Sequence, residues 1–436
     1  MAEKMVKSGL IITLFAMFLL AGCNLSSEPH ISYALRSEVA RDEAPPTDHL
    51  AELVADNTDF AFDLYHQMAV TSDDNLIFSP YSISTAFAIL YAGAEGDTAD
   101  QLADALHFQL APDQLHAAFN ALDDALQPPP SENASAEFPP ADELTLNITN
   151  ALWAQRGFSF EPSYLDLLGR EYGIGVNFAD FAADSEGARR EINTWIDQAT
   201  AGRFRDALSP DAVNQVVRLI LLNAIYFKAD WSYHFDTNGT HDAPFTLADG
   251  SQATVPMMTR TTSQFSCVRG NRFRAIELEY GESRAATFVI LMPDQGHFQE
   301  IESALNADFL RDVAAEVRFT NVARLHMPRF SFQTSIDLTS VLTRMGAPAL
   351  FDMGANFTGI SPETPLFIDH AEHRAMISVD ELGTEAAGFT SSNMLNMLAL
   401  GECGSEVTID RPFIFAIRHE ATGAILFLGR VMNPAA

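Results

Sequence analysis

Serine, histidine and acidic side chains are the residues through which this chain of 436 residues could catalyse hydrolysis or bind a metal. Serine hydrolases often use a G-x-S-x-G turn and zinc peptidases an H-E-x-x-H helix, and neither motif occurs. His370 and His373 are three residues apart, so on a strand they face opposite sides and cannot share a metal. No glycine-rich phosphate loop occurs. The sequence therefore predicts a protein that is not an enzyme, with no catalytic residues, no metal and no cofactor.

A stretch near the C-terminal end has the composition of a segment that can change its state. If the chain is extended from Thr384, alternate side chains face opposite ways. One face then carries small and uncharged residues up to a methionine: Thr384, Ala386, Gly388, Thr390, Ser392 and Met394. The other face carries Glu385, Ala387, Phe389, Ser391, Asn393 and Leu395. The first face suits burial in a sheet, but Gly388 and the serines weaken a strand. We interpret the stretch either as a loop that becomes a strand or as a flexible surface loop.

Within this stretch, Gly383-Thr384-Glu385-Ala386-Ala387-Gly388 resembles the hinge of the serpins, preceded by Val379-Asp380-Glu381 as the end of a strand. Residues 410–418 and 427–434 resemble the C-terminal strands of that family, in its order and at nearly its spacing. The resemblance covers about residues 50–434. It implies an α+β serpin fold, in which helices pack on three mainly antiparallel or mixed β-sheets and a reactive-centre loop is exposed. It also implies a monomer.

The resemblance implies suicide inhibition of a serine protease. The protease attacks the exposed loop and becomes acylated, and the loop then enters the main sheet and carries the protease with it. The hinge residues that the resemblance implies are Glu381, Gly383, Thr384, Glu385, Ala386, Ala387 and Gly388.

Counting from the hinge places the reactive bond. In inhibitory members the attacked residue is the seventeenth from the hinge glutamate, which gives Met397 followed by Leu398. Apolar residues here suit a serine protease with an apolar primary pocket, of elastase, chymotrypsin or subtilisin type. Phe389 replaces a usual small hinge residue. Residues 398–411 are a few residues longer than in typical members, which leaves the bond open by about one residue.

Three further segments resemble family motifs around the main sheet. Residues 75–84 resemble the start of helix B, residues 222–231 the strand that leads to the breach tryptophan, and residues 370–375 the segment before the loop-bearing strand. The resemblance implies a buried polar shutter formed by Ser79, Ser82, Asn223 and His373, with Trp231 at the breach. Taken one at a time, Ser79 is also a helix cap, Ser82 a helix residue and His373 a core histidine.

Two other functions remain open for this loop. A non-inhibitory serpin, such as a carrier or chaperone, often has bulky or charged residues on the inserting face of the hinge, and here that face is free of them. A surface adhesin that uses the loop as a binding epitope is the second alternative. Heat stability before and after loop cleavage separates these classes.

The first 46 residues are predicted to target the chain rather than to fold. Residues 1–22 read as a lipoprotein signal peptide, with an apolar run too short to span a bilayer comfortably. Leu20-Ala21-Gly22-Cys23 resembles a bacterial lipobox, whose cysteine is lipidated; the alternative is an ordinary signal peptide with a chance cysteine. Residues 23–46 are predicted to be the lipidated terminus and a flexible tether, and residues 47–436 the serpin domain. Asn24 favours the outer membrane or cell surface of a bacterium, with the lipid as the protein's contact with the membrane.

The net charge limits the classes of binding partner, and the cysteine content limits the disulfides that can form. The formal net charge is -32 at pH 7 and the sequence pI is about 4.5, so the surface repels nucleic acid and a heparin-type polyanion. Apart from Cys23, two cysteines are present, Cys267 and Cys403, and their spacing neither supports nor excludes a disulfide.

The order of the predicted elements agrees with an α+β fold. Helices are predicted mainly in the first half and strands mainly later, without βαβ alternation. Residues 218–227 form a long apolar run typical of a strand buried on both faces. Later strands are predicted at residues 273–280, 324–332 and 374–381, among others.

Overall fold

A computed structural model of the protein describes residues 34–43, 45–127, 145–199, 202, 208–210, 212–281, 283–363, 365–368, 371–384, 403–404 and 406–436. Side chains at residues 145–149, 199, 223–226, 262–264 and 318–323 are outside that description. Residue contacts group Tyr33–Ala436 into one unit, and Met1–Ser32, outside the described residues, into another.

In the described ranges the α-helices are α1 Leu50–Ala69, α2 Pro80–Tyr91, α3 Asp97–Ala105, α4 Pro112–Leu126, α5 Pro162–Leu167, α6 Ser185–Ala199, α7 Phe298–Ala304, α8 Ala307–Glu316 and α9 Leu338–Arg344. A π-helical turn, Leu168–Tyr172, follows α5, and a 3-10 turn spans Pro348–Phe351. Helix α2 begins as its sequence predicts, because the Ser79 hydroxyl accepts a hydrogen bond from the Ser82 amide (3.2 Å) and Pro80 occupies the first turn.

The described strands are β1 Ala34–Leu35, β2 Leu76–Phe78, β3 Thr145–Gln155, β4 Val176–Ala179, β5 Leu219–Asp230, β6 His241–Thr246, β7 Gln252–Gly270, β8 Phe273–Tyr280, β9 Ala286–Pro293, β10 Arg318–Pro328, β11 Phe330–Asp337, β12 Glu372–Val379, β13 Gly383–Thr384, β14 Glu406–Thr408, β15 Phe413–His419 and β16 Ile425–Val431.

These strands form two hydrogen-bonded networks within the described residues. A seven-stranded sheet has the order β1-β4-β3-β5-β13-β12-β11, and a nine-stranded one has the order β14-β10-β7-β8-β9-β15-β16-β2 with β6 paired to β7. Strand β7 pairs with β6 and β10 along most of its length and with β8 at its end, so it joins what would otherwise be two sheets. Antiparallel pairs predominate, with parallel pairs at β3–β4 and β10–β14. The predicted α+β class is confirmed.

Between β10 and β11 the chain passes from one network to the other through one residue, Arg329. Strand β10 ends at Pro328 in the nine-stranded network, and β11 begins at Phe330 in the seven-stranded sheet. The predicted strand over residues 324–332 therefore contains this crossing. Periodicity could not show it, since both strands continue in an extended conformation on either side of one residue.

Among the described residues, the centre of the seven-stranded sheet is paired over a short length. Strand β3 pairs with β5 from Thr145 to Ala154, and β11 pairs with β12 along the whole of β12. Between β5 and β12, the described residues that form ladders are Gly383 and Thr384 of β13, which pair with Asp230 and Ala229 on one side and, through Thr384, with Val379 on the other. We call the space between β5 and β12 the slot.

Helix α6 covers one face of this sheet. Trp153 of β3, Phe181, and Ile192 and Ile196 of α6 form a small buried cluster there. The main core lies elsewhere and joins α1 and α2 to the nine-stranded network. At the start of β5, Ile220 and Leu222 pack on the small cluster while Leu219 and Leu221 pack on the main core, so this part of the apolar run is packed on both faces, as predicted.

Residues 34–43 lie along the edge of the seven-stranded sheet. Strand β1 pairs with β4. Arg41 donates from Nε to Asn120 Oδ1 (2.9 Å) and from Nη2 to Asp123 Oδ2 (2.6 Å), both on α4. At Gly175 an added Cβ would lie 2.6 Å from the Leu35 carbonyl oxygen. The segment can therefore approach the backbone of Gly175 closely because this residue has no side chain. The sequence predicts these residues as tether; they are part of the folded unit, and the predicted tether is left with the residues before Ala34.

Candidate functional site

A tight turn connects β12 to β13 at the top of the slot. The Asp380 carboxylate accepts hydrogen bonds from the amides of Leu382 (2.9 Å) and Gly383 (3.2 Å). The Asp380 amide donates to the Gly383 carbonyl oxygen (2.9 Å). Aspartate is favoured in such turns because its side chain replaces a missing backbone partner. The turn reverses the chain and directs residues after Asp380 between β5 and β12.

Trp231 holds this turn from the end of β5. Its indole Nε1 donates to the Asp380 carbonyl oxygen (3.0 Å), and its amide donates to the Leu382 carbonyl oxygen (2.8 Å). The buried indole stacks on Tyr280, with ring centroids 4.5 Å apart and planes 10° apart. The predicted breach tryptophan therefore contacts the hinge through both its side chain and its backbone.

Thr384 is buried in the slot, 3% exposed. Its hydroxyl lies 2.7 Å from the Tyr280 hydroxyl, so these two groups satisfy each other. Burial raises the pKa of Tyr280 above its usual value, with the hydrogen bond to Thr384 acting in the opposite direction. Tyr280 thus remains a neutral donor or acceptor throughout the physiological pH range.

Gly383 has no space for a side chain. A Cβ at this position would lie 2.2 Å from the Ala229 carbonyl oxygen and 2.6 Å from the Asp230 Cα. Both neighbours are backbone atoms of β5, so neither can rotate away. Any larger residue would separate β13 from β5.

Glu381 is fixed by contacts on both its backbone and its side chain. Its carbonyl oxygen accepts from the Phe235 amide (2.8 Å). Its carboxylate accepts from the Thr240 hydroxyl (2.5 Å) and lies 3.7 Å from Arg329 Nη1, at the crossing between the two networks. The predicted first residue of the hinge is therefore an anchor that ties the turn to the nine-stranded network.

His373 and Ser79, two of the four residues predicted to form the shutter, are in contact. His373 Nε2 accepts a hydrogen bond from the Ser79 amide (3.1 Å). Burial lowers the pKa of His373 to about 4, so the ring is neutral at physiological pH. Protonation would place an N–H opposite the Ser79 N–H. The contact therefore requires the neutral ring.

Ser82 contributes its backbone to this cluster, since its amide donates to the Ser79 hydroxyl. Its own buried hydroxyl has no hydrogen-bond partner among the described residues. Asn223 lies on β5 opposite Asn150, and its side chain is outside the description. Asn57 is a neighbour that sequence reasoning did not find: its amide nitrogen donates to Ser84 Oγ (2.5 Å) and lies 3.4 Å from the Pro80 carbonyl oxygen.

Several predicted site residues lie outside the described part of the chain. They are the rest of the hinge (Glu385, Ala386, Ala387 and Gly388), the reactive bond (Met397 and Leu398) and the lipidation site (Cys23). These positions stay predictions from the sequence.

The C-terminal base of the loop, residues 403–408, is attached to the nine-stranded network. Cys403 forms a disulfide with Cys267 of β7, with Cα atoms 6.4 Å apart, which answers the pairing that the sequence left open. Strand β14 pairs in parallel with β10. Glu406 Oε1 lies 2.8 Å from His326 Nε2, whose other ring nitrogen lies 3.0 Å from Thr259 Oγ1.

Tyr280, Thr240 and Arg329 are the functional neighbours of the hinge that the sequence did not reveal. Tyr280 is 104 residues from its partner Thr384, and Thr240 is 141 residues from Glu381. A hydrogen bond between such distant positions leaves no local pattern. The signal that exists is indirect, because Tyr280 ends a predicted strand.

In the ranges that the structure covers, His, Cys, Asp and Glu side chains form no group of three or more that could hold a metal ion. None of the helices described there is both long and apolar enough to cross a bilayer.

Comparison with known proteins gives the same family throughout. The family Serpin (serine protease inhibitor) matches residues 55–434. The leukocyte elastase inhibitor of Xenopus laevis is 34% identical over 385 residues, covering 86% of this chain and 98% of that protein. An uncharacterized serpin-like protein of Thermococcus kodakarensis is 35% identical over 377 residues, covering 86% of this chain and 84% of that protein.

Solved structures agree with the sequence matches. Human thyroxine-binding globulin complexed with its hormone superposes with a TM-score of 0.77 at 28% identity, covering 88% of this chain and 99% of that one. Uncleaved ovalbumin superposes with a TM-score of 0.75 at 26% identity, covering 88% of this chain and 100% of that one. These matches confirm the predicted fold, and the family's inhibitors are not catalytic enzymes, as the sequence predicts. The chain belongs to the serpin family.

Proposed function

We propose that this protein inhibits a serine protease by a suicide mechanism, in which the cleaved loop enters the slot as a new strand. The observation that carries the proposal is the position of β13. Gly383 and Thr384 pair with β5 on one side, and Thr384 pairs with β12 on the other. The next residues that alternate toward the interior are Ala386 and Gly388, which offer no bulk or charge to resist further entry.

The energy for such a step comes from completing the sheet. About a dozen residues gaining about 1 kcal/mol each from hydrogen bonds give on the order of 10 kcal/mol. The uncut state is then metastable and is maintained by a kinetic barrier. Turn contacts at Asp380 and Trp231 fix where entry begins.

The target class follows from the predicted reactive bond. With Met397 before the bond and Leu398 after it, the favoured proteases have an apolar primary pocket, of elastase, chymotrypsin or subtilisin type. The relatives named leukocyte elastase inhibitor agree with this class. The deciding experiment incubates the protein with a panel of serine proteases and runs a denaturing gel. A covalent complex supports inhibition, whereas complete loop cleavage without complex with every protease contradicts it.

A carrier is the second candidate, since thyroxine-binding globulin is among the structural neighbours. A small apolar cavity lies between α1, α8 and the nine-stranded network, lined among others by Phe62, Phe309, Leu310, Val313 and Phe415. Binding of an apolar fluorophore, lost on Val313→Trp, combined with the absence of covalent complexes, would favour the carrier. A surface adhesin would show neither property and no rise in heat stability after loop cleavage.

We propose further that the protein is a monomeric lipoprotein of a bacterial cell envelope, anchored at the outer membrane or cell surface through Cys23. The support is the lipobox-like Leu20–Cys23 after an apolar run. Cys23→Ser should release the protein from membranes, because one lipidated residue is the membrane feature that the sequence offers. Membrane fractionation of wild type and variant tests this, and wild-type protein found entirely in the soluble fraction refutes it.

A further inference from the structure

The C-terminal base of the loop is attached covalently, and the N-terminal base is not. Cys403 is joined to Cys267 of β7, whereas Thr384 is held in the slot by hydrogen bonds. We propose that the Cys267–Cys403 disulfide is a redox-sensitive latch that stops the uncut loop from entering the slot, so that insertion depends on cleavage. This proposal rests on the inhibitory function proposed above and adds a regulation of the same loop.

The latch and the slot lie on opposite sides of the crossing at Arg329. Strand β11 borders β12 and runs away from the hinge, from Phe330 opposite Val379 to Asp337 opposite Glu372. Strand β10 precedes the crossing, and it is β10 that pairs with β14, with Arg324 opposite Glu406. Cys267 faces Arg318 at the other end of β10. The disulfide therefore holds Cys403 on the side of the hinge from which an inserting strand moves away.

Chain length then sets a limit on entry. Residues 385–402 connect Thr384 to Cys403. If residues 385–397 entered the slot, the strand would extend about 43 Å at about 3.3 Å per residue. The return from Met397 to Cys403 is six residue steps, which span at most about 21 Å. An uncut loop can therefore enter at most about three quarters of the way while the disulfide is closed.

Reduction removes this limit in two stages. Two thiols of a reagent such as dithiothreitol take the place of the protein disulfide, giving two cysteine thiols and the oxidised reagent. The base is then held by the short ladder of β14, by the contact between Glu406 and His326, by backbone hydrogen bonds of Ile409 and Asp410, and by the burial of Val407 and Ile409. If β14 and residues 409–412 detach, the free chain extends to Phe413, and its sixteen steps from Met397 span about 55 Å. That exceeds the about 43 Å needed, so uncut insertion becomes possible.

The same bond keeps both products together after cleavage. Any cut between residues 385 and 402 leaves the C-terminal fragment joined to β7 through Cys403. This outcome is independent of inhibition, since it follows from connectivity alone. It provides a direct test of whether the latch is closed in the isolated protein.

The experiment compares full-length wild type with the double variant C267S/C403S. First, a protease cuts the loop, and the products are run on denaturing gels with and without reductant. Second, the uncut proteins are kept at 37 °C, and samples are taken over time for remaining inhibitory capacity and for melting temperature. Wild type treated with dithiothreitol opens the latch without substitution, and the double variant treated alike controls for the reagent. Oxidised Glu406→Ala tests the β14 contact with the latch closed.

We expect cut wild type to run as one band until reductant is added. Reduced wild type and the double variant should lose inhibitory capacity at least about 10-fold faster than oxidised wild type. The lost material should be uncut and should melt at a higher temperature. Oxidised Glu406→Ala should decay like wild type. Equal decay of all forms overturns the latch, as does a C-terminal fragment that separates without reductant, or decay of oxidised Glu406→Ala as fast as the double variant.

Failure of the proposed inhibition is a distinct result. In that case no form makes a covalent complex at time zero. The latch is then judged by the melts, which need no protease: conversion of the reduced but not the oxidised protein to a higher-melting uncut form supports it, and no difference overturns it.

Discussion

At its N-terminal base the loop meets the fold through hydrogen bonds of Asp380, Trp231 and Thr384, whereas at its C-terminal base Cys403 is covalently joined to β7. Under the proposed mechanism these bonds stay in place while residues after Thr384 find a series of equivalent partners along β5 and β12, because each step into the slot lengthens the ladder by one residue. A disulfide has no such series of equivalent partners. The difference assigns movement to one base and a fixed position to the other.

The largest expected effect comes from a substitution at the N-terminal base of the loop, which we call the mobile base; the C-terminal base is the fixed base. In Thr384→Arg, a charge must occupy the buried slot without a partner, which costs several kcal/mol and opposes pairing of the hinge with β5 and β12. We expect the yield of covalent complex to fall at least about 100-fold, while loop cleavage continues. Denaturing gels with a target protease measure both products. Glu385→Arg is the matched control, because Glu385 is predicted on the opposite face; equal loss in both variants would contradict the assignment of faces.

The second-largest expected effect is a change in melting temperature when the loop is cut. After cleavage at Met397, residues up to Met397 are free to fill the slot, and residues 398–436 stay with β7. We expect the melting temperature to rise by tens of degrees, since each kcal/mol is worth about 2–4 °C in domains of 150–250 residues and somewhat less here. Nicking an ordinary loop lowers stability by adding freedom to the unfolded chain. Thermal melts before and after a single cut verified by mass spectrometry decide; a lowered melting temperature refutes insertion.

A pH effect should distinguish the slot from the fixed base. Burial lowers the pKa of His373 in β12 to about 4 from an unfolded value near 6.5. Between these values the unfolded state binds more protons, so stability falls as the pH falls from about 6.5 to 4, by about 3 kcal/mol in total. His373→Asn keeps an acceptor but does not titrate, and denaturant melts at pH 7 and pH 4.5 should show a smaller difference in this variant.

Two other histidines serve as references for that measurement. Burial also lowers the pKa of His116 to about 4, so His116→Gln should remove a separate share of the same pH dependence. His326→Gln, at the fixed base, should leave the share of His373 in place. If the stability of His373→Asn falls with pH as much as that of wild type, protonation of His373 does not cause the loss. The inference that the Ser79 contact requires a neutral ring would then be wrong.

The smallest expected effect concerns one hydroxyl pair at the mobile base. Tyr280→Phe retains the stacking on Trp231 and leaves the buried Thr384 hydroxyl without this partner, at a cost of about 1–3 kcal/mol. Thr384→Val is the reciprocal change, and the double variant removes both groups. We expect a coupling of about 1 kcal/mol in a double-mutant cycle from denaturant melts. Additive effects would show that the pair does not hold the hinge.

The hinge was accessible from the sequence because its signal is local. The alternation of small residues after Thr384 is encoded within a few positions, and Trp231 follows a long apolar strand. Asp380, by contrast, is predicted as the end of a strand but lies in the turn after β12. The partners of these residues were not accessible. Tyr280 and Thr240, like Cys267 at the other base of the loop, lie far away in the chain, and their pairing is decided by how the two networks pack.

Residues 34–43 show a second limit of prediction from the sequence. The polar composition of residues 24–46, with Pro45 and Pro46, predicts a tether, yet residues 34–43 are held by edge pairing with β4 and by Arg41 on α4. Backbone hydrogen bonds and one well-placed guanidinium need no hydrophobic pattern. The absence of a side chain at Gly175 makes room for the segment, but a glycine in a sequence does not say what approaches it.

The docking of residues 34–43 also has a consequence for encounter with a target. Under the proposed lipid anchor, residues 24–33 alone separate Cys23 from the folded unit, a span of at most about 35 Å. With the segment detached, the connection would run to Asp48 and reach about 85 Å. The volume that the inhibitor could sample would then be more than about 10-fold larger, and its effective concentration toward a protease on the same membrane correspondingly lower. Under the proposed anchor and function, the edge pairing of a two-residue strand thus sets the effective concentration of the protein toward a protease on the same membrane.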